Sequence, residues 1–155
     1  MRNLFFGFAF SLLISGISQA DEIKISNAWV AESIPGQDTA SINLVITSKK
    51  IAKLIDVASG MAQNVEIHEM VIDSTSITMR KLSELDLPAK TPVIFDEHGI
   101  HLMLIGLRKQ LVVGHKLPFA LTVKFEDGRT TTLRVLAVIK SKKEQKRSET
   151  KTVSA

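Results

Sequence analysis

The chain has 155 residues, no cysteine, and 20 Lys and Arg against 16 Asp and Glu. Without cysteine there is no disulfide and no thiolate ligand or nucleophile to consider. The positive excess belongs to the C-terminal end: residues 21–139 carry 13 basic and 14 acidic side chains, and residues 140–155 six basic and two acidic. A nucleic-acid-binding domain is therefore not indicated.

Residues 1–20 read as a secretory signal peptide. Arg2 supplies a positive start, Leu4 to Ile14 an apolar run, and Ser18-Gln19-Ala20 small residues at the cleavage positions. Eleven apolar residues are too few to cross a hydrocarbon core of about 30 Å. Cleavage after Ala20 would leave a chain starting at Asp21, with no cysteine there to carry a lipid. Four of the seven phenylalanines leave with that segment, so Trp29, Phe95, Phe119 and Phe125 are the remaining aromatics and the core must be aliphatic.

From Asp21 to about Ile139 the residues alternate with period two in short β-branched runs. The predicted strands are 22–31, 40–47, 53–59, 64–72, 77–82, 93–95, 101–105, 119–126 and 130–140. Breakers separate them at Pro35-Gly36, Gly60, Asp73-Ser74, Pro88, Gly99, Gly114 and Asp127-Gly128, the last a two-residue hairpin signal. Seven to nine such strands, with no helical stripe and no repeat, predict an all-β fold. It is a single domain over 21–139, an antiparallel β-sandwich or barrel. Residues 140–155 are too polar to bury a core and read as a basic, disordered tail.

The candidate site is the spacing His68, Met79, His101, Met103, with ten, twenty-one and one residues between. Imidazole plus thioether is a soft, neutral donor set that suits Cu(I) better than Mg, Ca or Mn. Zinc more often recruits thiolates, several imidazoles or a carboxylate. Residues i and i+2 share a strand face, so His101 and Met103 project together while Leu102 and Leu104 face the core. Glu66, His68 and Met70 likewise oppose Val65 and Ile67. Met79 shares the His68 face if the turn around Asp73-Ser74-Thr75 has an even number of residues; an odd loop would turn it inward. Met70 is an auxiliary candidate. His98 and His115, each beside a glycine turn, are expected to be solvated, and Met61 to lie at the surface or rim.

At these residues the chain resembles the PCu(A)C family of periplasmic copper chaperones. The flanking Val65-Glu66-Ile67-His68 and Gly99-Ile100-His101-Leu102-Met103-Leu104-Ile105-Gly106-Leu107 agree with that likeness, which spans roughly Ile25 to Val138. The resemblance implies a cupredoxin-like β-sandwich holding one Cu(I) ion through His68, Met79, His101 and Met103. It implies delivery to cytochrome c oxidase, chiefly the CuA centre of subunit II and also CuB, and exchange with other periplasmic copper chaperones by a monomer without a membrane span. Some relatives carry a His- and Met-rich extension for a second copper, but residues 141–155 contain neither residue type.

Rival classes fare worse on the residues. A blue-copper electron-transfer site needs a cysteine thiolate beside its histidines. A hydrolytic zinc site could use Glu66 or Glu69 as base but has no task for two thioethers, so no enzyme is expected. An adhesion or binding sandwich with incidental Met and His would not bind Cu(I) at all. Copper storage or resistance would use the same four residues as delivery does. Thioethers need no deprotonation, so only the imidazoles make affinity depend on pH. Because the ligands stand on separate strands rather than in the tail, truncation after Ile139 is expected to leave Cu(I) affinity unchanged in a chelator competition; a large loss would contradict the division of the chain.

Overall fold

The computed structural model describes residues 22–141. Residues 1–21, with the expected signal peptide, and residues 142–155, most of the expected tail, lie outside the described residues. The described chain contains ten strands and no helix: β1 (Ile23–Ala31), β2 (Thr39–Ser48), β3 (Ala52–Ala58), β4 (Ala62–Ile72), β5 (Ile77–Leu82), β6 (Leu85–Leu87), β7 (Pro92–Phe95), β8 (Ile100–Leu107), β9 (Lys116–Phe125) and β10 (Thr130–Lys140).

Alternation makes these strands. In β9, Leu117, Phe119, Leu121, Val123 and Phe125 are buried, while Lys116, Pro118 and Lys124 between them are exposed. In β2, Ile42, Leu44 and Ile46 enter the core. Period-two burial leaves one face of each strand for solvent or for chemistry. The strands form one sheet in the order β5-β4-β8-β7-β2-β1-β10-β9-β3-β6, with β8 also bonded to β2. It curls into a nearly closed barrel around the aliphatic core, to which Phe95, Phe119 and Phe125 also belong.

Beyond shifts of one or two residues at strand ends, the structure differs from the sequence reading in four places. Two pairings are parallel, β1 with β10 and β7 with β8, in an otherwise antiparallel sheet. Strand β6 was not foreseen, because Leu-Asp-Leu is too short for a period; Leu87 nevertheless sinks into the core at 1% exposure. Strand β9 begins at Lys116 instead of Phe119, running through Pro118. Pro118 pairs with Leu136 of β10 but lies beyond the last β9 residue paired with β3, Ala120, so its missing N–H leaves no ladder bond unmade on the β3 side. The β9–β10 hairpin has a three-residue loop instead of two: the Phe125 amide donates to the Arg129 carbonyl, and Gly128 takes a φ of 83°. That is the turn-plus-bulge form of hairpin, which also requires a left-handed glycine.

The N-terminal edge of β1 is tied electrostatically. Glu22 accepts from Lys50 Nζ at 2.6 Å and Arg129 Nη2 at 3.2 Å, joining β1 to the β2–β3 turn and the β9–β10 hairpin. The Lys50 hydrogen bond, with the neighbouring Arg129 charge, holds the Glu22 carboxyl below its ordinary value. The unfolded chain therefore takes up this proton first as pH falls. The stabilisation is present above the ordinary carboxylate range and is lost as pH drops through the lowered folded value. Glu22→Gln is expected to lower Tm modestly at pH 7, with the difference from wild type shrinking towards pH 3. A pH-independent difference would show that the network contributes only by packing.

Candidate metal centre

Three strands at one end of the sheet, β5, β4 and β8, build the site. Strand β4 pairs with β8 so that His68 stands directly opposite His101, Glu66 opposite Met103 and Ile67 opposite Leu102. Leu102 and Leu104 are fully buried and Ile67 nearly so at 5%. These residues fix which face turns inward, and the alternate residues Glu66, His68, His101 and Met103 take the other face together. The two rings meet edge to face with centroids 5.8 Å apart and planes at 71°. Two nitrogens bonded to one ion at about 2.0 Å each hold ring centroids at most about 6.4 Å apart. The pair is thus already within the span of a single ion.

Met79 arrives from β5. The turn between Ile72 and Ile77 contains four residues, and the hairpin pairs Met70 with Met79 and His68 with Lys81. Met79 therefore lies on the His68 face, one diagonal step from that histidine. His68, His101 and Met103 form a compact trio, and Met79 stands at its far corner. With strands ~4.8 Å apart and ~6.6 Å per two residues, Met79 and Met103 are about 16 Å apart on an untwisted ladder. A thioether reaches only about 6 Å from its Cα to a bound ion. Joint binding by both sulfurs thus requires sheet twist and the hairpin end to carry Met79 across the face. Apolar packing does little to hold that end in place: Val71, Ile72, Ile77 and Met79 are all exposed.

Each ring has one nitrogen engaged. His68 Nε2 donates to Glu66 Oε2 at 2.8 Å, and Glu66 Oε1 accepts from Lys81 Nζ at 2.6 Å. Lys81 above all, and then His68, hold the Glu66 carboxyl below its ordinary value. His101, 4% exposed, donates from Nδ1 to the Gly99 carbonyl at 3.3 Å. His68 Nδ1 is buried without any hydrogen-bond partner. A buried polar atom left unsatisfied costs about 1–3 kcal/mol, and a metal ion is a partner that would remove the cost. The residues present fit a soft monovalent ion: two imidazole lone pairs, two thioethers nearby, and a carboxylate already occupied. Among the described residues, no three His, Cys, Asp or Glu side chains gather into a group that could hold a metal.

Met70 sits beside Met79 on the same face, half-buried. His98 and His115 are exposed at the turns before β8 and β9. Met61 is half-buried and packs against the core, so it is more than a rim residue. The sequence places Glu66 on the His68 face but gives it no role beyond that of a hydrolytic base, and it does not single out Lys81. The signal was there for Glu66, two residues before His68 on one strand; Lys81 becomes visible only with the hairpin register. A recess of about 340 Å³ opens beside Met103, lined also by Gln37, Ser41 and Glu97. A larger recess, about 920 Å³, lies at β3, β6 and β9 around Lys53, Leu87 and Phe125, with no His or Met in its lining.

Comparison with known proteins bears on the family and the fold. The model of the LpqE-like lipoprotein family matches residues 23–137. The Leifsonia xyli subsp. xyli (strain CTCB07) protein named as lipoprotein Lxx21020 is 30% identical over 118 residues, covering 76% of this chain and 70% of that protein. Among solved structures, the apo PCuAC domain from PmoF1 is similar with a TM-score of 0.62 and 20% identity, covering 77% of this chain and 94% of that one. The copper-bound PCuAC domain from PmoF2 gives 0.58 and 22%, covering 77% and 93%. Cu(I)-DR1885 from Deinococcus radiodurans, a solution structure, gives 0.56 and 28%, covering 74% and 75%.

Met79, at 58% exposure, has little to pack against, whereas Leu102 has none of its surface exposed. Met79→Ala is expected to change stability by no more than about 0.5 kcal/mol. Leu102→Ala should cost about 2–5 kcal/mol. Chemical denaturation of the two variants checks this, and a large loss in Met79→Ala would return that residue to the role of core filler.

Proposed function

Because the chain belongs to the LpqE-like family, which is the PCu(A)C family, we propose that it is an extracytoplasmic copper chaperone with no catalytic step. It binds one Cu(I) ion through His68, His101, Met103 and Met79. The observation that carries the reading is the cross-strand His68–His101 pair, whose 5.8 Å spacing suits one ion and whose buried His68 Nδ1 lacks a partner. His68, His101 and Met103 hold the ion first, and Met79 closes on it from the hairpin end. Neutral donors leave the complex with only the ion's single positive charge, and thioethers favour the reduced state.

The names of the relatives fit a protein exported from the cytoplasm, as does the signal-like segment 1–20, with 21–139 as the working domain and 140–155 as an extension of basic composition. The recipient we assign is the copper centre of cytochrome c oxidase, CuA of subunit II and then CuB, reached directly or through another periplasmic copper chaperone. In a deletion strain, loss of oxidase activity rescued by added copper is the outcome delivery requires. Intact oxidase with copper sensitivity would instead mark a storage or resistance carrier using the same site.

The direct test is competition for Cu(I) against a chelator of known affinity. The wild-type protein is expected to retain one equivalent. His101→Ala should abolish retention, and the Met79→Ala, Met103→Ala double variant should weaken it by at least tenfold, with Met79→Ala alone the mildest. Retention unchanged in the double variant would remove the thioethers from the site.

A further inference from the structure

We propose that Glu66 is the positioning residue of this centre. By accepting the hydrogen bond from His68 Nε2, it fixes that ring as the Nε2–H tautomer and assigns metal binding to His68 Nδ1. The Gly99 carbonyl makes the opposite assignment at His101, whose metal-binding atom is Nε2. This rests on the copper-carrier reading and specifies which atoms of that site do the binding.

Three observations converge on it. Glu66 and His68 are two apart on β4 and share its outward face, with Glu66 Oε2 2.8 Å from Nε2. The other nitrogen, Nδ1, is buried with no partner, although its ring sits beside a second imidazole 5.8 Å away. Lys81, opposite His68 across the hairpin, holds the second carboxylate oxygen at 2.6 Å. Glu66 is therefore engaged at both oxygens, and acts through His68 without becoming a ligand. Were the ion to take Nε2 instead, the Glu66 bond would break, leaving a carboxylate oxygen facing a set of neutral donors. Nδ1 would still be buried and unpaired. A carboxylate or carbonyl on the far nitrogen is the usual way a metal-binding imidazole is oriented and made more basic. Here the two histidines receive one kind each, from Glu66 and from Gly99, and the pair becomes a mixed Nδ1/Nε2 clamp.

The experiment is long-range 1H–15N correlation of the histidine rings in the 15N-labelled protein, first without metal and then with one equivalent of Cu(I) under anaerobic conditions. Without metal, the neutral His68 ring should show Nε2–H and the neutral His101 ring Nδ1–H. Cu(I) should then shift 15N at His68 Nδ1 and at His101 Nε2. Glu66→Ala should release His68 to a tautomer mixture and lower Cu(I) affinity about 10- to 100-fold. Glu66→Gln, which keeps an oxygen acceptor, should restore the tautomer and part of the affinity, a rescue that a purely structural role would not give. Amide spectra that match wild type establish that both variants are folded, and the metal-free wild-type spectrum needs no variant. A Cu(I) shift at His68 Nε2, or an unchanged tautomer in Glu66→Ala, overturns the proposal and leaves the carrier reading intact. A shift at neither ring removes the carrier reading itself and the metal assignment with it.

Discussion

The register between β4 and β8 is the constraint on which the rest of the site depends. With Ile67 opposite Leu102, and Val65 opposite Leu104, apolar side chains from both strands enter the core. His68 is then obliged to stand opposite His101 on the other face. A slip of one residue would turn Leu102 or Ile67 out of the core and break the opposition of the two imidazoles, so the hydrophobic core and the imidazole pair are specified by the same ladder. Leu102, wholly buried between His101 and Met103, contributes to the site as much as either neighbour does, by holding their strand face outward.

Charge management follows from that register. The β4–β8 pairing that sets His68 against His101 leaves Glu66 opposite Met103, and the β4–β5 hairpin sets Lys81 opposite His68. A free carboxylate at that position would give a harder divalent ion an anionic ligand. With Lys81 on one oxygen and His68 on the other, the carboxylate is satisfied as a hydrogen-bond acceptor. The face then offers neutral donors. Softness here is thus a property of the whole face, including two charged residues that neutralise one another.

Much of this was legible in the amino-acid sequence because strand periodicity is a local signal. The outward placement of His101 and Met103 follows from Leu102 and Leu104 alone, and β5 and β10 were bounded to the residue by the turn chemistry around them. What escaped was non-local or too short. Strand β6 is a three-residue segment whose identity comes from the partner β3. The parallel pairing of β1 with β10 joins the two ends of the domain, and no local pattern announces it. The Asp127-Gly128 dipeptide announced a hairpin correctly but not its loop length, because a left-handed glycine serves both turn forms. Likewise, Glu66 could be placed on the His68 face from spacing, but its hydrogen bond to Nε2 and its tie to Lys81 depend on rotamers and register that spacing does not contain.

The exposure gradient across the site gives the proposed carrier a direction. His101 is 4% exposed and Met79 58% exposed. An ion between them would be anchored on the buried imidazoles and covered by a thioether on a hairpin end with few packing contacts. Such ends open at low free-energy cost, since little apolar burial is lost when they move. A recipient could therefore displace Met79 first and approach the ion from that side, while the histidines, held by Glu66 and Gly99, release it last. Among the described residues, strand β5 is also an edge of the sheet, with β4 as its only strand partner. In the proposed carrier, the strand that would supply the most labile donor is thus the part of the site that a partner would meet first. A site of uniformly buried ligands would hold the ion more tightly but would have no such order of release, and for a carrier that order matters more than the last increment of affinity.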